Sequence, residues 1–265
     1  MPLRLPLLAA AAALLAGCFQ VDAVLTVRPD GSGELREAVS ADGLMAVGLL
    51  QNAAALHPGD PAQRQQGAFV RSVEREVRPG GARVVVTYDV PDVTALVYEV
   101  GDAVDPGALA GELGAPPQDA EAEHGGEPYR FAFTPGQGGA PAELRVVTPA
   151  PRLDAPDADN PFLGGDAERT PLQTFETSMA LFGRLAMRFA VRVDGEFVGA
   201  DGGWRSGDEV LLSEVDFGTF LPHLYTLQGS VGDDAMAALA ADLQGGADLP
   251  GYRAVGAGET TIRLR

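Results

Sequence analysis

The sequence predicts an α+β fold, a mainly antiparallel sheet built from hairpins with several packed helices. Three observations predict it. Turn signals such as Pro29-Asp30-Gly31 and Pro79-Gly80-Gly81 separate strand-like apolar runs. Leu185–Val193 alternates, with Leu185, Met187, Phe189, Val191 and Val193 on one side and Arg188 and Arg192 on the other. Residues 42–56 and 233–243 instead carry apolar residues at helical spacing.

The elements follow in order. Residues 21–28 and 34–40 form a hairpin around the Asp-Gly turn. Residues 42–56, with Leu44, Met45, Val47, Leu49 and Ala53, form a helix from an Asp or Ser cap, and His57-Pro58-Gly59 ends it. Residues 69–77 and 83–90 make a second hairpin, its return strand carrying β-branched Val84, Val85 and Val86. Pro91 opens a short segment to residue 100 that is a helical turn or more strand. Residues 101–128 are rich in Gly, Ala, Pro and acid, and read as a weak helix at 106–113 followed by an acidic loop. Residues 129–133 and 143–147 make a third hairpin.

Residues 149–170 carry Pro149, Pro151, Pro156 and Pro161 and read as a linker or long loop. A helix then starts at Pro171 and runs to Gly183. After Leu185–Val193, Asp194-Gly195-Glu196 turns the chain toward Phe197 and Val198. Residues 199–207 form a loop with the only tryptophan, Trp204. Residues 209–215 form a strand, 216–224 a short helix or loop, 233–243 an Ala-rich helix, and 260–264 the last strand. The chain thus divides into residues 1–17, an N-terminal α+β region at 18–148, the linker at 149–170, and a C-terminal α+β region at 171–265 that is either separate from the first or continuous with it.

The 265 residues are 46% hydrophobic, enough for a packed core. There are 37 acids against 19 basic residues, a formal charge of −18, and all of the basic residues are arginine. No basic stripe suits a phosphate backbone, so nucleic-acid binding is not expected. A net negative chain also gains little from anionic headgroups.

The N-terminus carries the most specific signal. Arg4 precedes an apolar run from Leu5 to Ala16, which is too short to span a bilayer. The run ends in Leu15-Ala16-Gly17-Cys18, and Cys18 is the only cysteine. This segment resembles bacterial lipoprotein signal peptides, whose lipobox reads Leu-Ala-Gly-Cys. The resemblance implies cleavage between Gly17 and Cys18 and a diacylglyceryl group on the Cys18 sulfur, with a further acyl chain such as palmitate on the new amino terminus. Two or three chains make attachment stable. Phe19 follows the cysteine where an aspartate would favour inner-membrane retention, so the expected place is the cell envelope, at the outer membrane in a Gram-negative host. With no second cysteine, the fold has no internal disulfide.

Beyond the leader, Val24-Leu25-Thr26-Val27-Arg28-Pro29-Asp30-Gly31-Ser32-Gly33, and later Met187–Val198 followed by Gly202, Gly203 and Glu209–Leu212, resemble the strand-and-turn layout of LppM-type lipoproteins. Asp194 stands where that family usually has proline. The resemblance implies an envelope role involving lipid and carries over no catalytic residues.

Chemistry is sparse elsewhere. His57, His124 and His223 stand apart, so no zinc site is expected. There is no Gly-x-Ser-x-Gly elbow, and Gly229-Ser230-Val231-Gly232 has the wrong spacing. A Walker loop needs a lysine that the chain lacks. Asp154, Asp157, Asp159 and Asn160 offer oxygen ligands for calcium but without the glycine and glutamate of an EF-hand, so a solvated linker is the expected reading. Leu181, Phe182, Phe217, Phe220 and Leu221 are read as core, with a lipid groove as the alternative. The expected protein is therefore non-enzymatic, without cofactor or metal. It is anchored through Cys18 and binds a lipid or other envelope ligand. A protein-interaction or assembly factor, and a hydrolase with an unrecognised site, are the alternatives.

Overall fold

The computed structural model describes residues 19–62, 65–99, 128–149, 179, 183–231 and 245–265. Chain order begins with the hairpin of β1 (Phe19–Val27) and β2 (Gly33–Asp42), closed by Gly31 at φ 84°. Helix α1 (Gly43–Ala54) follows, then the hairpin of β3 (Phe69–Arg78) and β4 (Gly81–Val90). A 3₁₀ turn at Val93–Ala95, capped by the Asp92 carboxylate accepting from the Thr94 N–H, leads into β5 (Val97–Tyr98). The remaining strands are β6 (Tyr129–Thr134), β7 (Ala142–Thr148), β8 (Leu185–Val193), β9 (Phe197–Asp201), β10 (Trp204–Ser206) and β11 (Glu209–Asp216). Helix α2 (Phe217–Val231), β12 (Gly246–Leu249), β13 (Tyr252–Val255) and β14 (Gly258–Leu264) complete the order.

Two sheets result. The larger runs β12-β13-β11-β8-β1-β2-β4-β3, with β10 beside β11. All its pairings are antiparallel except β1 with β8, which are parallel from Phe19–Leu185 to Val27–Val193. The smaller runs β5-β6-β7-β14-β9 and is antiparallel throughout. In both sheets a block of strands from before residue 148 is joined edge to edge with a block from after residue 171, at β1–β8 in the larger and β7–β14 in the smaller.

Period-two patterning decides which face is buried. Val21, Ala23, Leu25 and Val27 of β1 join Leu35, Val39, Val84, Val86, Phe189, Val191 and Leu212 in the main core. The smaller sheet covers this face with Leu144, Val146, Ile262 and Leu264. Phe189 is the centre of the contact, with ring centroids 4.6 Å from Tyr98, 4.8 Å from Tyr129 and 6.5 Å from Phe131. Helix α1 adds Ala46, Leu49 and Ala53 to the same core.

The expected class of sheet with several packed helices is overturned: the protein is mostly β, and only two α-helices are present among the described residues. The physical reason is the second sheet. It buries the apolar face of the first, a task the sequence reading had assigned to helices. The helices expected at 106–113, at 233–243 and, apart from Met179 and Gly183, at 171–183 lie outside the described residues, as does the linker beyond Pro149.

Candidate functional site

Among the described residues two carboxylates are buried, Glu37 in the core and Glu209 on the outward face of the large sheet. Glu37 on β2 is 2% exposed and faces the smaller sheet. The Tyr98 hydroxyl donates to its Oε1 at 3.0 Å, and the Gln65 amide donates to Oε2 at 3.0 Å. Burial, and then the Glu37 charge, push the Tyr98 phenol well above its ordinary 10.0. Both sheets and the 62–69 loop are thereby tied to one charge, which has no route to solvent through its own exposure.

The opposite, outward face of the large sheet is chemically richer. Register places Gln20 and Asp22 (β1), Ser40 (β2), Arg83 (β4), Arg188 (β8) and Glu214 (β11) on that face. Arg188 bonds Asp22 at 2.9 Å and also Glu209, a carboxylate that Arg192 holds from its other side at 3.0 Å. Burial draws the Arg188 guanidinium down, but its bonds to Asp22 and Glu209 more than offset this and raise it above its ordinary value. A charge so held is fixed in position and stays protonated.

Toward the Phe19 end this face opens into a groove of about 840 Å³ floored by Ala38 and Ala186. Four arginines (Arg78, Arg83, Arg184, Arg188) and four carboxylates (Asp22, Asp42, Glu214, Asp216) line it. Strand order interleaves them, with Arg188 of β8 beside Glu214 of β11 and Asp42 of β2 beside the β3–β4 turn. Glu214 and Asp216 stand on the β11 side, Arg83 and Arg78 on the β4–β3 side. A groove that is electrically balanced, in a chain of charge −18, is suited to a ligand bearing both signs or a polar headgroup.

Phe19, the first described residue, stands at this end of the sheet. Phe19 is 7% exposed, pairs with Ala41 and Leu185, and its N–H donates to the Arg184 carbonyl at 3.3 Å. The residue after the expected attachment point is therefore built into the sheet, with no tether between them.

Cys18, Gly17, His124, the aspartates at 154–159, Leu181 and Phe182 lie outside the described residues. His57 is exposed in the loop after α1, and His223 is half-buried on α2. Among the described residues no three His, Cys, Asp or Glu side chains are grouped as a metal ion would need, and no helix is long and apolar enough to cross a membrane. Phe220 packs in a small separate cluster with Ala247, Leu249 and Tyr252, its ring 5.1 Å from that of Tyr252. The groove arginines escaped the sequence reading because they come from different strands. Only the shared face of Arg188 and Arg192 was visible in advance.

No family model matches the chain, and no curated protein does. Among solved structures, the folded domain of LppM from Mycobacterium tuberculosis, determined by NMR, aligns with 94% of this chain and 90% of its own, at 10% identity and a TM-score of 0.32. The likeness is loose.

Proposed function

We propose that this chain is a cell-envelope lipoprotein, anchored by lipid on Cys18, whose folded part is a non-enzymatic binding domain. Its groove takes an envelope lipid by the polar headgroup, or another envelope ligand carrying both charges. In a Gram-negative host it works at the outer membrane. The observation that carries this reading is the position of Phe19. The central strand starts one residue after the lipobox cysteine, and the charged groove opens at that same end. A lipid on Cys18 holds that end of the sheet at the bilayer, where headgroups are the most concentrated polar ligand.

Two measurements test it. Wild type and Cys18→Ser are expressed in the native host and fractionated; wild type is expected with the membrane and the variant free. Equal membrane recovery of both overturns the anchoring. The mature domain is also examined by native mass spectrometry, where bound lipid that is lost in Arg83→Ala supports the groove. A stoichiometric protein partner in place of lipid overturns the ligand reading in favour of an assembly factor. Turnover of a bound ester would instead make it a hydrolase.

A further inference from the structure

We propose that the β3–β4 hairpin tip, Val77 to Arg83, rests on the bilayer and sets the tilt of the domain; this rests on the anchoring proposed above. Three observations meet there. The first is register. Leu185, Phe19, Ala41, Ala82 and Val77 form one row of ladder partners across β8, β1, β2, β4 and β3. Val77 is three strands from Phe19, about 14 Å at the usual strand spacing. Arg78, Pro79 and Gly80 project past that row, on the side toward which the chain leaves Phe19 for Cys18. Cys18 is one peptide from Phe19, about 3.8 Å between Cα atoms. The tip therefore lies level with the anchor, with no linker to lift it away.

The second is exposure. Val77 is 75% exposed, the most exposed of the large hydrophobic side chains described, although its ladder partner Ala82 is buried. Pro79 and Gly80, the latter at φ 81°, shape a tight turn with nothing within 4 Å of a Cβ placed at Gly80. An apolar side chain beside open turn backbone suits the interfacial layer.

The third is charge. The anchored end can tip toward β11, with Glu214 and Asp216, or toward β3 and β4. Between Phe69 and Val90 lie four arginines and three acids, in a chain of −18. Arg78 is bonded to Glu76 at 2.7 Å, and Arg83 stands nearby on the groove wall. An anionic bilayer repels the β11 side and accepts the hairpin side. Tipped this way, the side of the groove that carries Arg78 and Arg83 is the one next to the headgroups.

The sole cysteine makes the test clean, because lipidation blocks it and a second cysteine can be labelled alone. Lipidated full-length Val77→Cys and Asp194→Cys, the latter at the opposite end of β8, are labelled with an environment-sensitive fluorophore. Each is reconstituted in vesicles of phosphatidylethanolamine and phosphatidylglycerol containing a nitroxide-bearing lipid. The label at position 77 is expected to shift to the blue and lose about half or more of its emission to the nitroxide, with no change at position 194. Both proteins should float with the vesicles. Flotation with equal quenching at the two positions, or with none at 77, overturns the orientation and leaves the anchoring intact. Failure to float, with no diacylglyceryl mass on the N-terminal peptide, overturns both.

Discussion

Replacing Phe189 with alanine tests whether the two sheets are one folding unit. Phe189 is fully buried on β8, and its ring meets Tyr98 and Tyr129 of the smaller sheet at 4.6 and 4.8 Å. Truncating a buried phenylalanine costs about 3–5 kcal/mol through lost transfer energy and the cavity left behind. The three ring contacts place this site at the upper part of that range, about 4–5 kcal/mol. Phe189→Leu keeps most of the volume and loses the ring geometry, so about 1–1.5 kcal/mol is expected. Urea unfolding is the assay, followed by Trp204 fluorescence on β10 of the large sheet and by far-ultraviolet circular dichroism, which reports both sheets. With a slope near 3 kcal/mol per molar urea, Phe189→Ala should move the midpoint down by about 1.5 M, by the same amount for both probes. A loss below about 1 kcal/mol would mean that the rings do not carry the contact. Probes that separate in wild type would mean that the sheets unfold independently, and the sandwich account would fail.

Tyr98→Phe should cost about 1.5–3 kcal/mol, because Glu37 loses one of its buried donors; equilibrium unfolding at neutral pH measures it. The same variant should be less sensitive to alkali. With the folded phenol raised, its contribution is intact below pH 10.0 and falls as pH climbs, because only the unfolded tyrosine ionises, at up to about 1.4 kcal/mol per pH unit. A wild-type-like alkaline slope in Tyr98→Phe counts against the assignment. At the acid end, the Arg263 guanidinium bonded to Asp201 at 2.7 Å holds that carboxyl below its ordinary 3.8. Its contribution is present above pH 3.8 and is lost as pH falls through the lower folded value, so Asp201→Asn should shallow the acid transition in a pH titration of melting temperature. Gly203→Ala places a Cβ 2.5 Å from Val210 Cγ1 at a residue with φ +75°, and should lower stability by about 2 kcal/mol or more in thermal unfolding. An unchanged melting temperature would remove the reason given for glycine there.

Local turn chemistry was readable and long-range pairing was not. Asp30-Gly31 and Pro79-Gly80 announced two hairpins to within a few residues, and the alternation through Phe189 identified β8 and its buried side. The β12–β13 hairpin was missed because Gly246, Ala247 and Asp248 have little strand preference, and only Leu249 and Tyr252 flank its Pro250-Gly251 turn. Helix α2 runs past the expected end at 224 through residues of modest helix propensity, such as Thr226 and Gly229. Helices were expected to cover the large sheet because a half-apolar strand does not name its cover, and a second sheet serves equally well. The groove was invisible for a related reason. Its arginines and carboxylates are distributed from Asp22 to Asp216, and only the strand order brings them together.

The parallel pairing of β1 with β8 has a consequence for the order in which the molecule assembles. β1 lies at the middle of the large sheet, yet one of its two neighbours is supplied about 165 residues later, at Leu185–Val193. Early in the chain, β1 can form its hairpin with β2 at once. The sheet cannot close until β8 has followed. The large sheet therefore closes late, and one edge of β1 stays unpaired during the interval before β8 locks it in place.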